Sequence, residues 1–298
     1  MTTFLGIDHP LVLVRDLAAT ADRYAALGFA PRPLGKHPWG TSMRLVQFDG
    51  CSIELMSVYD ETLIDQHAVD GFSFGRYIRD QLHEREGISL LALNSSDGDG
   101  DAAQVTARGI RCTGTIDFGR DVRLEDGAID RTKTTLKILQ DPLLPRLSNF
   151  IVHQHRPDLI FRPEWRIHPN GAVGIHQVTI MAEESDWPLV RRRLAGLYGE
   201  KEIFQHVSGF GVRTGNGKFV VMSKAAVEAT YAALPEALAK ERRPSCVAIH
   251  VSVPELDPVR RFVDTAGVLY KSDDGQIGIS DAASYGNIFL TFARDPRL

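Results

Sequence analysis

Apolar and polar positions along the chain repeat a unit of one strand, one helix and three shorter strands. Residues 7–14 are apolar and rich in β-branched side chains, which predicts a strand buried on both faces. After Asp16, a residue type that caps helices, apolar side chains recur at helical spacing as far as Gly28, which ends the helix. Three short strand-like runs then follow, the last of them at residues 51–58.

The same pattern returns three more times. In each unit the first strand is followed, 17 to 20 residues later, by a glycine that closes the helix; the pairs are His9 with Gly28, Ser89 with Gly109, His176 with Gly196, and His250 with Gly267. These first strands start 80, 87 and 74 residues apart, which is too long for a solenoid repeat and suits a duplicated supersecondary module. The sequence therefore predicts four βαβββ modules.

Several short motifs carry a resemblance to a known superfamily. They are I-D-H-P-L-V-L-V-R-D-L at 7–17, K-H-P-W-G-T at 36–41, L-V-Q-F at 45–48, S-I-E-L at 52–55 and H-P-N-G-A at 168–172. With these motifs the chain resembles the vicinal oxygen chelate superfamily, the glyoxalase, bleomycin-resistance and extradiol-dioxygenase group, and its glyoxalase-like domain proteins in particular. The resemblance implies an α+β fold of four modules paired into two barrels. We predict the domains as residues 1–163 and 164–298, with the boundary in a proline-rich stretch without periodicity.

Composition and charge narrow the class of protein. The 298 residues are 43% hydrophobic and 24% charged, as in ordinary globular proteins, and the net charge of −4 gives no reason to expect nucleic acid as a partner. Three scattered cysteines favour small buried side chains over a zinc cluster or a disulfide framework. No apolar run is long enough to span a membrane. We expect a bacterial-type cytoplasmic enzyme with a small-molecule substrate, and a homodimer is compatible with the sequence.

The resemblance implies a metal site inside a cup, with ligands from the first and last strands of each module. In the first barrel these positions are His9, Glu54, Ser89 and either His153 or His155. Matching the last strands to each other places His153 opposite Glu54, so we predict His9, Glu54 and His153 as ligands and His155 as a substrate contact. Two imidazoles and a carboxylate suit a divalent Fe, Mn, Zn, Co or Ni ion.

A structural interpretation competes with this one, because a lone histidine on an apolar strand is usually a hydrogen-bonded core residue. Glu54 weighs against it, since a carboxylate among apolar neighbours is costly unless it is paired, protonated or metal-bound. The second barrel offers His176 and His250, but Phe289 or Thr291 stands where an iron site of the dioxygenase type would need a carboxylate.

Residues around the first cup complete the prediction. His37 and Glu54 are candidates for acid–base catalysis, Trp39 for an apolar wall, and Thr41, Arg44 and Gln47 for substrate binding. We expect a metal-dependent enzyme that binds vicinal oxygens, with lyase or isomerase chemistry favoured. An extradiol-type ring-cleaving dioxygenase is one alternative. The other is a metal-free, drug-sequestering binding protein, in which Glu54 would pair with an arginine such as Arg44.

Overall fold

Two eight-stranded sheets with the same strand order form the protein. The computed structural model describes residues 5–124, 127–273 and 275–294. The first sheet has the order β2-β3-β4-β1-β5-β10-β9-β6 and the second the order β12-β13-β14-β11-β15-β18-β17-β16, while β7 and β8 form a separate hairpin. This is the predicted α+β architecture, with two modules in each sheet.

The strands of the first sheet and the hairpin are β1 (Gly6–Leu13), β2 (Gly35–Lys36), β3 (Thr41–Gln47), β4 (Ser52–Val58), β5 (Gly87–Ser95), β6 (Gly114–Phe118), β7 (Asp121–Arg123), β8 (Ile129–Arg131), β9 (Thr134–Leu139) and β10 (Ser148–Gln154). Those of the second sheet are β11 (Gly174–Met181), β12 (Ile203–His206), β13 (Gly209–Arg213), β14 (Lys218–Met222), β15 (Ser245–Val253), β16 (Tyr270–Ser272), β17 (Gln276–Ile279) and β18 (Phe289–Arg294). The helices are α1 (Leu17–Ala26), α2 (Phe74–Glu84), α3 (Gly98–Ala107), α4 (Trp187–Tyr198), α5 (Lys224–Thr230), α6 (Glu236–Ala239) and α7 (Asp257–Thr265).

Strand register identifies the equivalent positions of the four modules. The first strands of the modules pair with each other in antiparallel fashion, β1 with β5 and β11 with β15. Each of these four strands has one residue without a partner in the register, a bulge; these skipped residues are Asp8, Ser89, His176 and Val247. Three residues beyond the skipped one, each first strand pairs in parallel with the last strand of its module; the pairs are Leu11 with Glu54, Ala92 with Phe150, Thr179 with Val220, and His250 with Thr291. The repeat is therefore real.

The predicted alignment of the first strands was wrong in register. His9 follows the skipped residue of its strand, so its equivalents are Leu90, Gln177 and Ala248 rather than Ser89, His176 and His250. A bulge inserts a residue without changing the apolar composition of the strand, which is why sequence spacing did not reveal the offset.

Three of the four predicted glycines follow the end of a helix and have a positive φ. Gly28, Gly109 and Gly267 have positive φ after α1, α3 and α7, as predicted. Gly196 was the wrong choice in the third module, because it lies inside α4 and the turn comes at Gly199, with φ of 93°.

One continuous apolar cluster joins the two sheets through α1, α3, α4 and α7. A second cluster lies on the other face of the first sheet beneath α2, and a third lies on the other face of the second sheet beneath α5 and α6. Each sheet therefore has one face in the shared core and one face that forms a cup of its own.

The chain crosses from the first sheet to the second between Gln154 and Gly174, the segment that contains the boundary predicted at residues 163 and 164. Cys51 and Cys246 are buried, Cys112 is partly exposed, and all three are free thiols. Within the described ranges, no helix is long and apolar enough to cross a membrane.

Candidate active site

The cup of the first sheet is the candidate site. It encloses an empty volume of about 660 Å³, including its open side. Its ionisable groups are Asp8, His9, His37, Glu54 and Arg120. Its apolar wall consists mainly of aromatic rings, those of Trp39, Phe74, Phe118 and Phe150. An apolar pocket with a few convergent polar groups is the usual form of a small-molecule site.

The central feature is a line of three side chains at the junction of β1 and β4. Asp8 Oδ1 lies 2.5 Å from Nδ1 of His9, and Nε2 of His9 lies 3.1 Å from Oε2 of Glu54. The register explains the line: Asp8 is the skipped residue of β1, so consecutive side chains turn toward the same cup. Asp8 was not among the predicted site residues, although a second carboxylate beside His9 in an apolar strand was a usable signal.

His37 approaches the same carboxylate from a tight turn between β2 and β3. Its Nε2 lies 3.8 Å from Oε1 of Glu54, and its Nδ1 is hydrogen-bonded to Oγ1 of Thr41 at 3.0 Å. Trp39 stacks on the imidazole with ring centroids 5.0 Å apart. Gly40 makes the turn with φ of +79°, and a Cβ there would lie 2.2 Å from the carbonyl oxygen of Asp60. Thr41 therefore orients His37 rather than facing the cup.

Burial and hydrogen bonding set the charges of these groups. Burial by itself lowers the pKa of His9, but hydrogen bonds to Asp8 and Glu54 outweigh it and raise the pKa to about 10. Burial lowers the pKa of His37 to about 4, so this imidazole is neutral at pH 7. Burial also acts to raise the pKa of Glu54, yet the His9 hydrogen bond and nearby positive charges bring it below its usual value. The line thus holds an imidazolium between two carboxylates.

Two predicted substrate-binding residues, Gln47 and Arg44, and one residue that was not predicted, Arg120, differ in whether they line the cup. Gln47 lines the cup and donates from Nε2 to the carbonyl oxygen of Ile160 at 2.8 Å. Arg44 lies at the opposite parity of β3 and donates to the carbonyl oxygen of Arg32, so it does not reach Glu54. Arg120 instead brings a guanidinium to the cup from the second module, close enough to Glu54 to act on its pKa. Nothing in the sequence around Arg120 identified it.

The structure places His153 and His155 away from the cup. The register puts Phe150, not His153, at the position that corresponds to Glu54, and the two neighbours of His153, Val152 and Gln154, line the cup instead. His153 Nδ1 accepts a hydrogen bond from the Gly98 amide at the start of α3. The matching of last strands was three residues out, and an odd offset moves a strand side chain to the other face.

His155, which was predicted to contact the substrate, also lies outside the cup. It is exposed, and its Nε2 is hydrogen-bonded to Oγ1 of Thr135 at 2.9 Å. Its ring stacks on that of His153 with centroids 4.1 Å apart. Both histidines therefore belong to the face of the first sheet that carries α3, not to the cup.

Of the three predicted metal ligands, only His9 and Glu54 lie together. Nε2 of His9 and Oε2 of Glu54 are separated by 3.1 Å, close to the ~3.0 to 3.4 Å between neighbouring ligands of one ion. In the part of the chain that the structure describes, no three His, Cys, Asp or Glu side chains converge closely enough to hold an ion. The predicted set of three protein ligands does not fit this geometry, because the third position is taken by the apolar Phe150.

The second cup arranges its histidines differently. Nε2 of His250 is hydrogen-bonded to the Tyr231 hydroxyl at 2.6 Å, and the same hydroxyl contacts Oγ1 of Thr179 at 2.6 Å. Burial lowers the pKa of His250 to about 3. Nδ1 of His176 is hydrogen-bonded to Oγ of Ser252 at 3.1 Å. Tyr231, which ends α5, therefore occupies the imidazole nitrogen that would face a ligand.

Comparison with known proteins agrees with this architecture. A family model described as a glyoxalase-like domain matches residues 7–197. A hypothetical protein from Staphylococcus aureus is similar in structure with a TM-score of 0.67 and 11% identity, covering 98% of this chain and 100% of that one. No curated protein matches the sequence.

Two further solved structures share the fold. A mutant of 4-hydroxymandelate synthase from Streptomyces coelicolor gives a TM-score of 0.56 at 12% identity, covering 98% of this chain and 93% of that one. A xylose isomerase-like TIM barrel/4-hydroxyphenylpyruvate dioxygenase fusion protein gives 0.55 at 11% identity, covering 98% and 49%. Identities this low show the fold alone. With its family match over most of the sequence, the chain belongs to the glyoxalase-like domain family of the vicinal oxygen chelate superfamily.

Proposed function

We propose that this protein is an enzyme whose first cup binds a small molecule with two neighbouring oxygen atoms and moves a proton beside them. Lyase or isomerase chemistry of the glyoxalase type is the favoured reaction class. The supporting observation is the line of Asp8, His9 and Glu54, with His37 on the other side of the Glu54 carboxylate. Buried acid–base groups with strongly shifted pKa values, gathered in one enclosed cup, are typical of catalytic sites.

Each residue has a distinct part in this proposal. Oε1 of Glu54, the oxygen nearer His37, takes the proton from the substrate carbon. His9 is held positive by Asp8 and Glu54, so it stabilises negative charge that develops on a substrate oxygen. His37 is neutral and its Nε2 faces the carboxylate, so it can pass the proton on. The aromatic wall keeps water from the reacting atoms.

A metal-dependent form of the same chemistry is the second candidate. Asp8 holds Nδ1 of His9 and leaves Nε2 beside Oε2 of Glu54, which is how carboxylates orient metal-binding imidazoles. An Fe, Mn, Zn, Co or Ni ion at this place would supply Lewis-acid activation of the substrate oxygens. It would have two protein ligands, His9 and Glu54, and so would depend on substrate and water for the rest of its shell.

Two other functions are alternatives to this proposal and need to be distinguished from it by experiment. One is dioxygenation, which is worth testing because one of the similar structures is named as a dioxygenase fusion; the ring-cleaving extradiol type is the form that the sequence suggested. The metal-free binding protein is the other, since Arg120 rather than Arg44 supplies the arginine charge near Glu54.

Proton exchange in deuterated water tests the proposal without knowledge of the natural substrate. Dihydroxyacetone, 2-hydroxyacetophenone and similar hydroxy ketones are incubated with the protein, and loss of the proton beside the carbonyl is followed by NMR. We expect exchange by the wild type and a loss of at least ~100-fold in Glu54→Gln. Glu228→Gln, which removes an exposed carboxylate of α5, is the matched control and should keep full activity.

The same assay, run after treatment with a chelator and after addition of each divalent ion, separates the two forms of the proposal. Activity that survives the chelator supports proton transfer by the side chains alone. Activity restored by one ion supports the metal-dependent form. Absence of exchange with every ketone and every ion, together with tight retention of a ligand, would contradict an enzymatic function.

A further inference from the structure

The cup opens outward past Arg120 into a second space, which we call the outer opening. It has an empty volume of about 1240 Å³ and shares Met43, Leu45, Gln47, Arg120 and Ile160 with the cup. These five residues therefore form a throat between an enclosed reaction space and a wider entrance. A ligand that reaches Glu54 from the outer opening must pass the Arg120 guanidinium.

Arg120 is held in the throat by its backbone. Its amide donates to Oγ1 of Thr132 at 2.8 Å, and its carbonyl oxygen accepts from the Thr132 amide at 2.9 Å. One guanidinium nitrogen, Nη1, lies 3.3 Å from where a Cβ of Gly35 would stand, so the absence of a side chain at Gly35 leaves room for it. Within the described residues, no hydrogen bond or ion pair within 4.0 Å engages this guanidinium.

A half-buried guanidinium without an acceptor is unfavourable, because desolvation of the charge is not compensated. Burial accordingly acts to lower the pKa of Arg120, while the charge of Glu54 acts to raise it. A bound oxyanion would supply the missing acceptors, and a carboxylate matches the planar fork of the guanidinium.

Two buried polar atoms of cup residues also have no hydrogen-bond partner among the described residues. One is Oε1 of Gln47, whose residue is 2% exposed, and the other is Nε1 of Trp39, whose residue is 1% exposed. Both residues line the cup. Gln47 shares the throat with Arg120, so its open acceptor and the neighbouring cation are the complement of a ligand that carries both a hydroxyl group and an anionic oxygen.

The entrance carries positive charge and apolar surface together. The guanidinium of Arg32 stacks on Trp165 with its carbon 3.7 Å from the ring centroid, which fixes a cation on the wall of the outer opening. Asp121, also on this wall, is ion-paired with Arg131 at 2.6 Å, so its negative charge is compensated. Leu34 on the same wall is 52% exposed.

We infer that the ligand is a 2-hydroxy carboxylate with an apolar substituent, whose carboxylate is bound by Arg120 and whose hydroxyl donates to Oε1 of Gln47. This assigns the substrate class of the first cup and rests on the function proposed above. The carbon between the two groups then lies on the path from the throat to Glu54. The apolar substituent occupies the outer opening against Leu34 and Ile160.

Equilibrium binding measured by calorimetry tests the inference with three matched probes. They are 3-phenyllactate, its amide 3-phenyllactamide, which lacks the charge, and 3-phenylpropionate, which lacks the hydroxyl. We expect the wild type to bind 3-phenyllactate about 10- to 100-fold more tightly than the amide. Arg120→Gln should lose that preference, Arg120→Lys should keep part of it, and the control Arg260→Gln in α7 should match the wild type.

Each result is decisive. Equal affinity for acid and amide in the wild type, equal losses for both probes in Arg120→Gln, or no binding of any carboxylate at millimolar concentration would overturn the inference. Equal affinity for 3-phenyllactate and 3-phenylpropionate would contradict the hydrogen bond from the ligand hydroxyl to Gln47. Glu54→Gln should still bind 3-phenyllactate, so failure of the proton-exchange assay with Arg120-dependent binding intact would refute the proposed reaction and leave the substrate class standing.

Discussion

Replacement of Asp8 by asparagine should make His9 lose its proton at a lower pH and flatten the alkaline pH dependence of stability. Asn keeps the shape of the side chain but removes one of the two carboxylates that hold the imidazolium. In the wild type, burial acts to lower the pKa of His9, while hydrogen bonds to Asp8 and Glu54, together with their charges, raise it to about 10. The variant retains the burial and only one of the opposing carboxylates.

The magnitude follows from the two pKa values. The difference between 6.5 in the unfolded chain and about 10 in the fold corresponds to at most about 5 kcal/mol of stabilisation. Because the pKa is raised by folding, this contribution is complete below pH 6.5 and is lost as the pH rises to about 10. The free energy of unfolding of the wild type should fall over that range, and Asp8→Asn should lose roughly half of the dependence.

Urea unfolding at steps of pH between 6 and 10 measures this dependence. The protein is first dialysed against a chelator, so that no ion competes with the proton at His9. His9→Gln is the reference without a titrating group, and the His9 ring signal in NMR reports the pKa directly. Identical slopes in the wild type and Asp8→Asn, with an unchanged His9 signal, would refute the assignment of charges to this line.

Three further predictions concern other parts of the fold. Tyr231→Phe removes the hydroxyl that contacts His250 and Thr179, and we expect a loss of about 1 to 3 kcal/mol in chemical unfolding with no change in proton exchange. Glu241 has its pKa lowered to about 2, because hydrogen bonds from Arg243 and Arg85 outweigh its burial, so it stabilises the fold above pH 4.5 and loses this as the pH falls. Glu241→Gln should therefore unfold with a flatter acid dependence, and a slope equal to that of the wild type would contradict the pairing. Gly40→Ala should cost at least ~2 kcal/mol, because its Cβ would meet the Asp60 carbonyl at a positive φ, and calorimetry would refute this if the melting temperature stayed the same.

The sequence by itself determined the architecture and half of the site. Apolar runs at strand spacing, helical stripes and the recurring glycines fixed four modules, because these patterns depend on neighbours along the chain. The family resemblance pointed to His9 and Glu54, and the cost of burying a carboxylate in an apolar strand supported Glu54; the structure brings the two side chains together at 3.1 Å. His37, Trp39 and Gln47 also reach the cup or its edge.

Only the tertiary structure decided which side chains complete the cup. The skipped residues Asp8 and Ser89 offset the first strands by one residue, and the register of β10 against β5 places Phe150 rather than His153 at the position that corresponds to Glu54. A bulge leaves the apolar pattern almost unchanged, while a shift by an odd number of residues reverses which side chains point into the cup. Arg120 enters the cup from a different module, and Tyr231, directly after α5, contacts His250. Contacts of that kind depend on how modules pack, which local sequence pattern does not encode.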